Sequence, residues 1–163
     1  MARDWSQFTR RITVDRPVEA IYEHWAVPSK IELWFLRSAQ YVDPDGKTHD
    51  NHLPVSEGCG YSWRWYGYPD EVSEYGKIVE ANGLNRFDFT FTHDSLVSIS
   101  LIEEMGEVVV ELTQSRIPDD EDREIYVDCS YGWTFFLANL KSVLEGGLDL
   151  RNRSLDVKNV INS

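Results

Sequence analysis

The sequence predicts an α+β fold in which a curved antiparallel sheet wraps around one long helix near the C-terminus, in the order β-α-α-β(about six)-α. The first observation is the stretch 123–147, where large apolar residues recur at three- and four-residue steps, as on one face of a helix. The second is a series of upstream segments in which apolar and polar residues alternate. This alternation is typical of antiparallel strands that are covered on one face only.

The long helix follows an acidic cluster at 119–124 and ends at Gly146 and Gly147. Negative charge favours the positive end of the helix dipole, and glycine is common where helices end. The residues predicted on the inner face are Tyr126, Cys129, Trp133, Phe136, Leu137, Leu140, Val143 and Leu144. The residues predicted to face solvent are Asp128, Asn139, Lys141 and Glu145.

The upstream elements follow from alternation and from turn residues. Residues 7–15 predict the first strand, and Pro17 suits the first position of a short helix. Pro28 ends that helix and begins a second short helix. One further strand is predicted to end near Val42, before a turn-rich loop that runs to residue 58. The remaining strands are predicted at 59–66, 75–81, 86–92, 96–102 and 108–116.

Composition limits the possible functions. A chain of 163 residues with 42% hydrophobic content predicts a single domain over 1–163, with its core at 7–147 and a polar tail at 148–163. The acidic net charge of -12 argues against binding nucleic acid or an anionic membrane through general electrostatics. No stretch is long and apolar enough to insert into a membrane, so we expect a cytoplasmic protein. Cys59 and Cys129 form no CxxC pair and are expected to be free thiols.

Several short motifs occur in a fixed order along this pattern. They are residues 17–22 after the first strand, Trp34-Phe35, 76–78, 112–114, Gly132-Trp133, Leu140-Lys141 and Leu144-Glu145. Over residues 7–151 the chain thereby resembles the START-like (helix-grip, SRPBCC) superfamily, and within it the activator of heat-shock ATPase homologue-like family. The resemblance implies a cavity between sheet and helix that binds lipids, hormones, polyketides or other apolar molecules. The resemblance also implies that some relatives are cyclases or hydrolases and that others act together with a chaperone.

The candidate site is a set of mostly aromatic and aliphatic side chains that converge on the inside of this fold. They either line a ligand cavity or simply fill the core at normal packing density, and the sequence leaves both interpretations open. The polar member Gln114 shares the parity of Val110 and Leu112, so it needs a hydrogen-bond partner inside the protein. The predicted cavity residues are Trp25, Trp34, Phe35, Tyr61, Trp63, Trp65, Phe87, Phe89, Phe91, Ile99, Val110, Leu112, Gln114, Trp133, Phe136, Leu137 and Leu140.

Metal binding has a weak signal in the turn-rich loop. His49, Asp50 and His52, together with Asp43 and Asp45, are residue types that ligate metals. Their spacing matches no strong zinc or calcium pattern, so an exposed loop is the favoured interpretation and no metal or cofactor is expected.

Catalytic patterns are weaker still. His24 and His93 stand alone, with no serine or cysteine at a recognisable triad spacing. We therefore expect no catalytic residues and a protein that binds a small hydrophobic molecule. A chaperone-associated interaction module and a cyclase- or hydrolase-type enzyme are the alternatives, and the sequence leaves the oligomeric state open. Arg64 is expected to face water or to have a structural partner.

Overall fold

The structure is a computed structural model that describes residues 2–163, and its elements follow the predicted order. The strands and helices are β1 (Phe8–Thr13), α1 (Val18–Ala26), α2 (Pro28–Ile31), β2 (Ser38–Val42), β3 (Gly60–Arg64), β4 (Glu74–Ala81), β5 (Arg86–Phe91), β6 (Ser95–Glu104), β7 (Glu107–Ser115) and α3 (Glu124–Leu144). A short 3₁₀ turn, Thr92–Asp94, joins β5 to β6.

The seven strands form one antiparallel sheet in the order β1-β7-β6-β5-β4-β3-β2. A register shift between Ile78 and Glu80 of β4 interrupts its pairing with β5, and such irregularities bend a strand. Gly76 allows a close approach at this bend, because a Cβ there would lie 2.6 Å from the ring of Tyr61. The predicted curved sheet around a C-terminal helix is therefore confirmed.

The core lies between the inner face of this sheet and α3. Along β6, Val97, Ile99 and Leu101 are buried while the residues between them are half-buried, which is the predicted alternation. From the other side, α1 contributes Trp25 and the connection after α2 contributes Trp34, and their rings meet edge to face with their centroids 4.6 Å apart. The helix contributes a continuous apolar stripe to the same cluster. The indole Nε1 of Trp25 has no hydrogen-bond partner among the described residues.

Only part of the acidic cluster contacts the backbone at the start of α3. Arg123 occupies the N-cap position with a left-handed backbone (φ 61°), and a carboxylate oxygen of Asp120 accepts a hydrogen bond from the Ile125 amide at 3.1 Å. This bond satisfies one of the amides that a helix start leaves unpaired. The helix ends at Leu144, slightly before the predicted glycines. No helix among residues 2–163 is long and apolar enough to cross a membrane.

The prediction that Asn139 faces solvent is wrong. Asn139 is fully buried, and its amide nitrogen donates to the carbonyl of Trp34 at 2.7 Å and to the Asp149 carboxylate at 3.1 Å. Its amide oxygen accepts from the Leu150 backbone at 2.8 Å. Periodicity placed this polar residue outside because its partners lie in the connection after α2 and in the C-terminal tail, which are distant in sequence.

The polar tail packs onto the domain through charged groups. Arg151 is 8% exposed and donates to the carbonyls of Leu36 and Glu32, both at 3.0 Å. Asp149 pairs with Arg151 at 2.9 Å and with Arg153 at 2.8 Å. Burial opposes the ionised carboxylate, but the hydrogen bonds from both arginines outweigh it and hold the pKa of Asp149 well below its ordinary value. Tail residues 149–151 therefore dock on the helical side of the domain.

Candidate functional site

An open cavity of about 280 Å³ lies between α3 and the end of the sheet formed by β3 and β5. The helix presents Cys129, Gly132, Trp133 and Phe136 to this space at three- and four-residue steps, which place them on one face. The connections after α2 and after β3 supply most of the opposite wall. The full lining is Phe35, Trp65, Tyr68, Val72, Phe91, Thr92, Asp128, Cys129, Gly132, Trp133, Phe136 and Ser163.

Five of the predicted cavity residues line this space, namely Phe35, Trp65, Phe91, Trp133 and Phe136. The other twelve lie in the core, each at most 4% exposed, and they do not line this cavity. These twelve are Trp25, Trp34, Tyr61, Trp63, Phe87, Phe89, Ile99, Val110, Leu112, Gln114, Leu137 and Leu140. The structure thus places dense packing beside an open cavity.

The five aromatic side chains contact one another around the cavity. Phe35 stacks on Trp133 with ring centroids 4.9 Å apart and meets Phe136 edge to face at 4.9 Å. Trp65 lies 5.7 Å from Phe35 and 6.4 Å from Phe91, and Phe91 lies 5.4 Å from Trp133. Such offset and edge contacts add to the energy of burial and restrict ring orientation. These five side chains therefore form one fixed side of the cavity, which we call the aromatic wall.

A chain of polar side chains fixes Trp133. The indole N–H donates to the amide oxygen of Gln114 at 3.0 Å, and the Gln114 amide nitrogen donates to the Ser95 hydroxyl at 3.0 Å. Ser95 in turn donates to the carbonyl of Thr92 at 2.8 Å, on the cavity lining. Gln114 faces the interior as its parity predicts, and protein groups satisfy its amide. A ligand would consequently meet the ring of Trp133 and not its N–H.

Several lining residues have no counterpart in the sequence-based set. Gly132 is the most informative, because a Cβ at this position would meet no atom within 4 Å apart from its chain neighbours and the backbone of its own helix, and would enter open space. Glycine in a helix interior costs about 1 kcal/mol relative to alanine, so its presence is itself a signal of a local requirement. Tyr68 and Val72 come from a turn-rich connection in which alternation gives no indication of direction.

Titratable groups are sparse on the lining. Asp128 is exposed and belongs to the solvent face of α3, as predicted. Burial raises the pKa of the Cys129 thiol, although a hydrogen bond from Gln114 opposes the shift. This thiol is therefore protonated at neutral pH and is a poor nucleophile. Outside the cavity, Arg64 is half-buried and donates to the Ser73 hydroxyl at 3.2 Å, the structural pairing expected for it.

The turn-rich loop is only partly as predicted. Asp50 and His52 are exposed, but His49 turns inwards and lies 2.7 Å from a carboxylate oxygen of Asp43. The thiol of Cys59, from the residue before β3, lies 3.5 Å from the same oxygen. These three side chains form a second cluster with metal-ligating atoms close together. Sequence spacing does not reveal this cluster, because Cys59 belongs to the strand predicted at 59–66 and not to the loop that carries Asp43 and His49.

Taken together, the bent seven-stranded sheet, the long helix packed across it and the cavity between them define a START-like domain of helix-grip architecture. A family profile described as "Activator of Hsp90 ATPase homolog 1-like protein" matches residues 15–145. The chain belongs to this family, as its motifs indicate.

Solved structures share the fold at low sequence identity. A protein from Staphylococcus saprophyticus is 21% identical, with a TM-score of 0.68 over 89% of this chain and 96% of that chain. The Aha1 dimer from Colwellia psychrerythraea is 15% identical, with a TM-score of 0.67 over 86% and 97%. DynU16, a protein in the dynemicin biosynthetic locus, is 16% identical, with a TM-score of 0.71 over 91% of this chain and 50% of that chain. A comparison with curated proteins finds no match.

Proposed function

We propose that this protein binds a small hydrophobic molecule in the cavity between α3 and the sheet and does not transform it chemically. The observation that supports this most directly is the open space of about 280 Å³ beside the aromatic wall. Ligand sites are mostly apolar and concave, with a few polar groups that set orientation. Tyr68, Thr92, Asp128 and Ser163 supply polar groups at the lining.

The cavity lies near the lower limit of about 300–1,000 Å³ that is typical of small-molecule sites, so the ligand is expected to be small. The fixed aromatic wall favours a ligand with a flat apolar part, because its rings are already ordered before binding. Extraction of whatever copurifies with the protein, followed by mass spectrometry, identifies candidates. A thermal-shift series with lipids and aromatic metabolites then tests binding, because a ligand of the folded state raises apparent stability.

Gly132→Leu is the sharpest test of the proposed cavity. The new side chain would enter the open space beside Gly132 and occupy it, while the helix gains about 1 kcal/mol in propensity. We expect an unchanged or higher melting temperature and an affinity for the extracted ligand at least about tenfold weaker, or about 1.4 kcal/mol. Gly132→Ala is the matched control and keeps most of the space. Equal affinity in wild type and Gly132→Leu would place the ligand elsewhere and refute the proposal.

A second candidate function, a chaperone-associated interaction module, is supported by the description of the family to which the chain belongs. Its test is a pull-down with an Hsp90-type chaperone, together with the ATPase rate of that chaperone in the presence of this protein. Stimulation of the rate that persists in Gly132→Leu would favour an outer surface over the cavity. No recovery above background and no change in rate would remove this candidate.

The enzymatic alternative requires a titratable group within reach of a ligand in the cavity. Asp128 and Cys129 are at the lining, but the raised pKa of the Cys129 thiol disfavours nucleophilic use. Conversion of the extracted molecule during incubation would support an enzyme, and Asp128→Asn would then be the first variant to assay.

A cytoplasmic location is also part of the proposal and agrees with two free cysteines. Cell fractionation tests that location.

A further inference from the structure

The second cluster brings together three different metal-ligating side chains. The Asp43 carboxylate oxygen lies 2.7 Å from Nδ1 of His49 and 3.5 Å from Sγ of Cys59. All three ligand atoms lie within 4.8 Å of one another. Cys59 is fully buried and the His49 side chain is only 10% exposed, whereas the Asp43 side chain is 34% exposed. The cluster is therefore enclosed on the side of Cys59 and His49 and open to solvent at Asp43.

Hydrogen bonds of the backbone hold the cluster in place. Asp43 directly follows β2, and the His49 amide donates to the Tyr41 carbonyl at 3.0 Å. The Cys59 carbonyl accepts from the Ile78 amide at 2.8 Å, which fixes this residue against β4. A site whose ligands are positioned by ordered backbone loses less conformational freedom on binding than a site on a mobile loop.

The orientation of His49 matches that of metal-bound histidines. Its Nε2 lies 2.8 Å from the Leu53 carbonyl oxygen, which only accepts, so Nε2 carries a proton. Nδ1 lies 2.7 Å from the Asp43 carboxylate, donates to it in the metal-free protein, and becomes a metal ligand when that proton leaves. A histidine ligand that donates its second ring N–H to a backbone carbonyl is the usual arrangement around protein-bound metals.

We propose that Asp43, His49 and Cys59 form a binding site for zinc or a similar divalent transition metal, with a fourth position open to water. A nitrogen, oxygen and sulfur donor set of this kind suits zinc. In a zinc tetrahedron these donor atoms are separated by roughly 3.3–3.6 Å, so the Asp43–Cys59 distance already fits. The Asp43–His49 distance must widen by about 0.6 Å as their hydrogen bond is replaced by coordination. Protons released from the thiol and the imidazole pass to the buffer.

Cobalt(II) titration of the metal-free, full-length protein tests this proposal, because cobalt replaces zinc and reports its ligands by absorption. We expect visible bands of tetrahedral cobalt, a thiolate-to-cobalt band in the near ultraviolet, and loss of both when zinc is added. Cys59→Ser should lose the thiolate band and bind zinc more than about tenfold more weakly. Cys129→Ser and His52→Ala are the matched controls, a second thiol and a second histidine of the same loop, and should bind as wild type.

Folding of each variant is checked by circular dichroism, and Asp43→Asn provides a second route if Cys59→Ser does not fold. Asp43→Asn keeps the shape of the side chain, removes its charge and should likewise weaken zinc binding more than about tenfold. Wild-type protein without a thiolate band overturns the proposal, whatever the variants show. A band that survives in Cys59→Ser, or that disappears in Cys129→Ser, overturns it as well.

Discussion

Trp133 belongs both to the core and to the cavity lining. Its ring contacts Phe35 and Phe91 of the aromatic wall, while its N–H is used by Gln114 inside the protein. The residue is 2% exposed, so most of its surface is already buried by protein. Its hydrogen bond matters because a buried indole N–H or amide that loses its partner costs about 1–3 kcal/mol.

A double-mutant cycle measures this coupling. Gln114→Leu leaves the Trp133 N–H unpaired, and Trp133→Phe leaves the Gln114 amide oxygen unpaired, so each change should lower the free energy of unfolding by about 1–3 kcal/mol or more. In the double variant both partners of this hydrogen bond are gone, so neither remains buried without its partner. The loss of unfolding free energy should then be smaller than the sum of the two single losses. Urea unfolding of the four proteins provides the values. Strict additivity would show that the hydrogen bond contributes nothing to stability.

At the scale of single elements, α3 organises both the cavity and the docking of the tail. One side of the helix presents Cys129, Gly132 and Phe136 to the cavity, whereas Asn139 joins it to Asp149 and thereby to Arg151. The same helix thus contributes an apolar surface to ligand binding and a polar anchor to residues after its end.

The ion pair of Asp149 should make tail docking pH-dependent. Its pKa is lowered in the folded protein, so its stabilisation is complete above the ordinary value of 3.8 and decreases progressively as pH falls from there towards the lower folded value. Asp149→Asn should therefore lower the free energy of unfolding by about 1.5–3 kcal/mol at neutral pH, because hydrogen bonds to charged partners are lost. The difference from wild type should shrink in acid.

Urea unfolding between neutral pH and about pH 3 checks this expectation, with Asp156→Asn as the control at an exposed carboxylate of the same tail. A destabilisation by Asp149→Asn that is equally large at both ends of this range would show that lost packing, and not ionisation, is responsible.

The elements themselves were predictable because their patterns are local. Alternation in β6 and β7 and the apolar stripe of α3 predict their types and their inner faces, and the structure agrees. The errors involve partners distant in sequence. Asn139 is buried because the tail returns to it, and Cys59 joins Asp43 because β3 pairs beside β2. Neither of these long-range contacts produces a periodic pattern in the sequence.

The cavity was harder to predict than the fold for a related reason. Hydrophobic residues that fill a core and those that line an opening have the same pattern, so Phe89 and Phe91 could not be distinguished. The structure separates them, since Phe89 is fully buried and Phe91 reaches the lining. Gly132 carried a usable signal, because a glycine inside a long helix is unfavourable without a local reason.

At the scale of the whole molecule, the excess of negative charge should make stability depend on salt. With a net charge of -12, the negatively charged side chains repel one another more strongly in the compact folded state than in the unfolded chain. The exposed ion pairs, such as Arg11–Glu104 and Lys30–Glu23, act in the opposite direction but contribute little. Screening should therefore raise the melting temperature as sodium chloride increases from about 10 mM to about 150 mM, where the Debye length falls from about 30 Å to about 8 Å.

Two charge variants at exposed positions test this explanation. Glu57→Gln combined with Glu107→Gln removes two exposed negative charges that lie away from the start of α3, so it should raise the melting temperature at low salt and flatten the salt dependence. Lys158→Gln removes an exposed positive charge and should steepen it. Calorimetry across the salt series measures both effects. A melting temperature that falls with salt in the wild type would mean that attractive surface pairs outweigh the net repulsion, and the expected order of the variants would then reverse.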